Sequence, residues 1–71
     1  MGWFIYRKRE DRWENLVATA NIEKPTRWAD DEERKPWEFP YQFNTESWAN
    51  LEMKRWQREE PGWEYNVGFY E

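Results

Sequence analysis

The chain has 71 residues, neither cysteine nor histidine, and a net charge of −4 from 11 Lys and Arg against 15 Asp and Glu. This length allows one domain, residues 1–71, with a small core and marginal stability. The composition excludes disulfides and thiolate or imidazole metal sites, and the negative charge disfavours indiscriminate binding to nucleic acid or anionic membranes.

The chain is predicted to open with a β-hairpin. Residues 3–7 are rich in the aromatic and β-branched types that favour strands. The polar residues 8–12 are the predicted turn. Residues 13–22 form the predicted second strand, because period-2 alternation places Leu16, Ala18, Ala20 and Ile22 on one face.

A short helix and an edge strand are predicted next. Pro25 suits the first turn of a helix that runs to about residue 35 and docks through Trp28 and Ala29. Residues 37–43 then alternate strictly, with Trp37, Phe39, Tyr41 and Phe43 on one face. Pro40 has no backbone N–H to donate, so this strand is expected at a sheet edge.

The last two elements are a helix and a strand. Thr45 or Asn44 can cap a helix that continues to about residue 59 and presents Ala49, Met53 and Trp56 on one face. Pro61-Gly62 ends that helix. Residues 63–70 alternate again and form the predicted final strand. The order ββ(α)βαβ predicts an α+β fold, with one well-formed helix packed on a small antiparallel or mixed sheet.

Few residues offer catalytic or metal chemistry. Ser47 is the only serine, and no histidine exists to activate it. The acidic run at residues 30–33 has oxygen ligands for a hard cation, but it lacks the ligand spacing of a calcium loop and is better explained as a solvated surface. Glu38 and Glu64 could act as an acid/base pair only in a deep cleft. We therefore expect no enzymatic activity, cofactor or metal.

Aromatic residues are the strongest functional signal in the chain. Fifteen Trp, Tyr and Phe accompany only six Ile, Leu and Val. Each ring can bury about 150–250 Å², so this small interior cannot enclose all of them. Trp, Tyr and Arg are enriched at binding hot spots. The predicted partner contacts are aromatics at the ends of elements, Trp28, Trp37, Trp63 and Tyr70, supported by Arg27 and Arg55.

These features predict a non-catalytic protein-binding module. It would be a small regulator or inhibitor, for which a phage or mobile-element protein is one concrete form, or a minor subunit of a larger assembly. The alternative is a single-stranded nucleic-acid binder that stacks bases on its rings, although the net negative charge disfavours it. Sugar binding has no specific support. The longest apolar run is four residues, so no membrane span is expected, and the absence of a signal-peptide pattern indicates a cytoplasmic protein.

Overall fold

The computed structural model describes residues 2–20, 25 and 27–70, except for the side chain of residue 70. The elements in chain order are β1 (Gly2–Arg9), β2 (Arg12–Thr19), β3 (Arg27–Ala29), β4 (Glu38–Pro40), α1 (Glu46–Glu59) and β5 (Glu64–Tyr70). Every strand pair in this five-stranded sheet is antiparallel, and α1 packs on one face of it. The predicted α+β fold is confirmed.

The opening hairpin has a tighter turn than predicted. Its ladder runs from Tyr6↔Asn15 to Arg9↔Arg12, so that only Glu10 and Asp11 form the turn. Glu10 has a φ of 56°, in the left-handed region that a residue with a Cβ rarely adopts. The second strand ends at Thr19, Ala20 is exposed, and Ile22 lies outside the described residues.

The helix predicted over residues 25–35 is wrong. Arg27–Ala29 is instead a strand that pairs with β2, with Trp28 opposite Leu16. The ladder with β2 satisfies backbone groups and buries Ala29, which outweighs the local helix signal. A single turn follows, in which the backbone N–H of Arg34 donates to the carbonyl of Asp30 at 3.0 Å.

The strand predicted over residues 37–43 is also shorter, but its predicted edge position agrees with the pairing: among the described strands, β4 pairs with β2 alone. Val17 pairs with both Arg27 and Pro40, and a strand residue has one neighbour on each side. Strands β3 and β4 therefore flank β2 on opposite sides. Asn15 pairs with both Tyr6 of β1 and the third residue of β3, so β1 and β3 also lie on opposite sides of β2. Strands β1 and β4 therefore lie on the same side of β2.

The segment after β4 continues into the space between β1 and β2. The N–H of Tyr41 donates to the carbonyl of Leu16 at 2.8 Å, and Phe43 then forms an antiparallel bridge with Trp3. Pro40 is tolerated because the N–H groups of successive strand residues face opposite sides: the N–H of Tyr41 faces β2, so the nitrogen of Pro40 faces away from it and no ladder hydrogen bond is lost. The predicted common face is lost after Pro40: Phe43 is completely buried.

Helix α1 begins and ends where local signals predict. Thr45 is the N-cap, and its Oγ1 accepts a hydrogen bond from the N–H of Trp48 at 3.1 Å. The C-cap is Glu60, whose N–H donates to the carbonyl of Trp56 at 2.8 Å. Gly62 adopts a φ of 100°, which permits the reversal into β5.

The core lies between α1 and the sheet. Its buried members are Ile5, Leu16, Phe43 and Ala49. Strand β5 pairs with the whole first half of the hairpin, from Gly2↔Tyr70 to Lys8↔Glu64, and lies at one end of the sheet. Among the residues described, no helix has the length and apolar character needed to cross a bilayer.

Candidate functional site

The aromatic side chains divide into buried and exposed sets. Phe43 and Tyr65 are buried. Five others are between 39% and 65% exposed: Trp13, Trp37, Phe39, Trp48 and Phe69. The small interior therefore leaves large rings at the surface, as the aromatic count predicts.

Trp28 and Trp63 surround a buried arginine. The guanidinium carbon of Arg7 lies over both indoles, 4.2 Å from the ring centroid of Trp28 and 4.0 Å from that of Trp63. Arg9 also stacks on Trp63, at 4.3 Å. These two predicted contact residues are half-buried and already have cationic partners within the chain.

The charge of Arg7 is neutralised within the same cluster. Its Nη2 lies 2.7 Å from Oε1 of Glu14, and its Nε donates to that oxygen at 2.8 Å. The Tyr65 hydroxyl, which donates to the carbonyl of Glu60 at 2.7 Å, lies 3.5 Å from Nη1 of Arg7. The cluster joins β1, β2 and β5, and we assign it a structural role.

Trp37 lies at the tip of a tight turn. The N–H of Glu38 donates to the carbonyl of Lys35 at 3.0 Å, which makes residues 35–38 a β-turn with Pro36 in second place. Proline favours that position because its φ is already suitable. Trp37 occupies the third place and is 65% exposed, so the turn presents most of an indole to solvent.

One carboxylate holds this turn in place. Arg27 donates to Glu38 twice, from Nε at 2.9 Å and from Nη2 at 2.7 Å. The N–H of Lys35 donates to the same carboxylate at 2.8 Å. These two groups, Arg27 first, lower the pKa of Glu38 to about 2, and the bonds to Glu38 raise the pKa of Arg27. Arg27 and Trp37, two of the predicted partner contacts, are therefore linked through Glu38.

Arg55 belongs to a second region, on α1. Its Nη2 lies 2.9 Å from Glu52 and its Nη1 lies 3.2 Å from Glu59, and these contacts, Glu52 first, raise its pKa. Beside it is a groove of about 280 Å³. The groove is lined by Pro25, Tyr41, Phe43, Trp48, Glu52, Arg55 and Trp56. Exposed Trp48 packs edge-on against Phe43, with ring centroids 5.0 Å apart.

The sequence also drew attention to Tyr70 and to the acidic run at residues 30–33. The side chain of Tyr70 lies outside the described part of the structure. Within the described ranges, no group of three or more carboxylate side chains is arranged to hold a metal ion. In the acidic run, Asp30 Oδ1 accepts from the N–H of Glu33 at 2.7 Å, which closes the turn.

Sequence reasoning missed the buried pair of Arg7 and Glu14, although one signal was available. If Glu10 and Asp11 form a two-residue turn, the hairpin register places Arg7 opposite Glu14. Predicting a five-residue turn hid that register. No comparable signal identifies Trp13 and Trp48 as exposed, because their surroundings depend on contacts distant in sequence.

No protein-family model matches the chain, and neither the curated proteins nor the solved structures include a significant match to it.

Proposed function

We propose that this chain is a non-catalytic protein-binding module with Trp37 as its main anchor. The observation that carries the proposal is an indole, 65% exposed, on a turn fixed by three hydrogen bonds to Glu38. An indole this exposed adds little to folding, because most of its surface stays in water in both states, and tryptophan is among the residue types enriched at binding hot spots. A turn that is ordered before binding also reduces the entropy lost on association.

The partner is expected to offer an apolar cleft with a polar rim. Trp37 would enter the cleft, while the ion pair of Arg27 and Glu38 beside it meets polar groups around the opening. The module would act as a small regulator or inhibitor, or as a minor subunit of an assembly. A phage or mobile-element origin for such a regulator is a hypothesis from size and composition. A chain without cysteine suits the reducing cytoplasm, and we propose that setting.

Single-stranded nucleic acid is the weaker alternative, because several of the arginines are already paired with carboxylates. Arg12 contacts Glu14 and Glu33, and hydrogen bonds to both raise its pKa. Arg55 is bound by two acids on its own helix. Tracking phosphates would require these pairs to separate. Tryptophan quenching by an oligonucleotide that weakens steeply with salt would favour this alternative.

Affinity capture with matched variants tests the proposal. Lysate from the source cells is passed over immobilised wild-type chain, Trp37→Ala and Trp13→Ala, and the retained proteins are identified and titrated. A partner anchored by Trp37 should bind wild type and Trp13→Ala alike and lose about 30-fold in affinity for Trp37→Ala, the effect of a typical hot spot. A partner retained equally by all three would show that Trp37 is not the anchor.

A further inference from the structure

The outer edge of β5 is a long template for strand pairing. All seven residues of Glu64–Tyr70 pair with β1 on one side. No other strand of the described residues pairs with β5 on the opposite side. The alternate N–H and C=O groups on that side therefore point away from the sheet, and another extended strand is the structure that satisfies such a row.

This edge carries none of the usual features that prevent pairing. Natural edge strands are commonly blunted by lysine, proline, bulges or short length. Strand β5 has no lysine or proline, its ladder with β1 has no bulge, and Glu64 at its start is its only charged residue. Phe69, 45% exposed, stands on the face that carries α1 and stacks on Trp3 with ring centroids 4.8 Å apart.

We propose that β5 pairs antiparallel with β5 of a second copy of this chain, forming a dimer with one continuous sheet. The two-fold axis passes between the two Val67 residues, in the register that pairs all seven positions. Because the axis is perpendicular to the sheet, both copies of α1 lie on the same face. Phe69 then lies opposite Tyr65 of the second copy on that face and becomes covered.

The sequence of β5 favours its own copy over a foreign strand. In this register Glu64 lies opposite position 70, so the single charge of the strand does not meet itself. Asn66 lies opposite Gly68, which leaves the other face without a steric conflict between large side chains. A strand of another protein could recognise β5 through only one charged residue, Glu64. Pairing with β5 of a second copy requires no charged contact.

Sedimentation of the full chain from micromolar to millimolar concentration tests the proposal. Asn66→Lys places two ammonium groups diagonally across the axis, and Phe69→Lys puts a charge where an apolar ring should be covered. Each should raise the dimer dissociation constant about fivefold or more. Leu51→Lys, a matched change at an exposed apolar position on α1, should leave that constant unchanged. Circular dichroism of each variant establishes that it is folded.

Hydrogen exchange on the wild-type chain gives a test without substitution. The outward amides of β5 should gain protection as concentration rises, while the amides of the short edge strand β3 should not. A wild-type chain that stays monomeric at millimolar concentration overturns the proposal. So does a dimer whose dissociation constant changes in neither β5 variant, or one that protects amides elsewhere than in β5.

Discussion

Arg7 and Glu14 face each other across the β1–β2 hairpin and form an ion pair in which each side chain is only 7% exposed. Burying two charges carries a desolvation penalty that their attraction must offset. Here the indoles of Trp28 and Trp63 cover the guanidinium and add cation–π attraction, worth about 2 kcal/mol where water is excluded. Trp28 and Trp63 thereby stabilise the buried charge of Arg7.

Glu14→Gln should destabilise the fold strongly. It leaves the buried Arg7 cation with only a longer contact, 3.5 Å from its Nη1 to the half-exposed carboxylate of Glu60. Breaking a buried pair in this way costs about 3–5 kcal/mol. A domain of this size has little more than that in total, so the variant should be partly unfolded in buffer. Urea unfolding followed by circular dichroism measures the loss. Glu10→Gln, in the exposed turn, serves as the control and should change the free energy of unfolding by less than about 0.5 kcal/mol.

The double variant Arg7→Met with Glu14→Leu tests the effect of the two charges while apolar side chains still occupy the space of the ion pair. Replacing both charges with apolar groups removes the desolvation penalty, so this variant should be more stable than Glu14→Gln alone. If Glu14→Gln instead unfolds at the same urea concentration as the wild-type chain, the pair contributes little.

Alanine substitutions should divide the tryptophans into two classes. Trp37→Ala removes a ring that is mostly solvated and should change stability by no more than about 0.5 kcal/mol. Trp28→Ala uncovers Arg7 and removes the edge-on contact with Trp56, and should cost about 3–5 kcal/mol. Urea unfolding compares the two, with Trp28→Phe as the variant that keeps a ring over Arg7. Equal losses at Trp28 and Trp37 would mean that the exposed indole is structural, which removes the basis for calling it an anchor.

The carboxylate of Glu38 should give stability a specific acid dependence. Its pKa is about 2 in the folded chain and about 4.3 when unfolded. A depressed pKa contributes stability that is fully present above the unfolded value and is lost as pH falls through the folded one. The melting temperature of wild type minus that of Glu38→Gln should therefore shrink between about pH 5 and about pH 2. A difference that stays constant across this interval would show that Glu38 does not hold the turn as a carboxylate.

The N-cap of α1 offers a local test of helix stability. Thr45→Ala removes the oxygen that accepts from the N–H of Trp48 and should cost about 1 kcal/mol. For a chain of this length that loss lowers Tm by about 4–8 °C, which circular dichroism resolves. Thr45→Ser keeps the hydroxyl and should melt close to the wild-type temperature. An equal drop for both variants would indicate that the threonine methyl group matters and the cap does not.

The elements that sequence predicted well depend on local signals. Helix α1 follows from the cap at Thr45 and the Pro61-Gly62 stop, because both act within one turn of the helix. Strand β1 follows from a run of aromatic and β-branched residues, and strands β2 and β5 follow from alternation along the segment. These signals require no knowledge of the partner element, which is why the fold class could be predicted.

The elements that it predicted wrongly are those decided by distant partners. Residues 27–29 form a strand because β2 offers a free edge, whereas Pro25 and the charges after Ala29 indicated a helix. Alternation across residues 37–43 suggested one aromatic face. The tertiary structure inserts part of that segment between β1 and β2, so that Phe43 is buried while Trp37 remains exposed.

The sequence by itself determined that this chain has more aromatic surface than its interior can enclose, since ring count and chain length set both quantities. Only the tertiary structure decided which rings are exposed. Burial is a property of neighbours brought together from distant positions: Trp28 covers Arg7, whereas Trp37 stands on a turn held by Arg27 and Glu38. Composition sets how much aromatic surface the chain has, and packing decides which part of it is buried and which part is exposed.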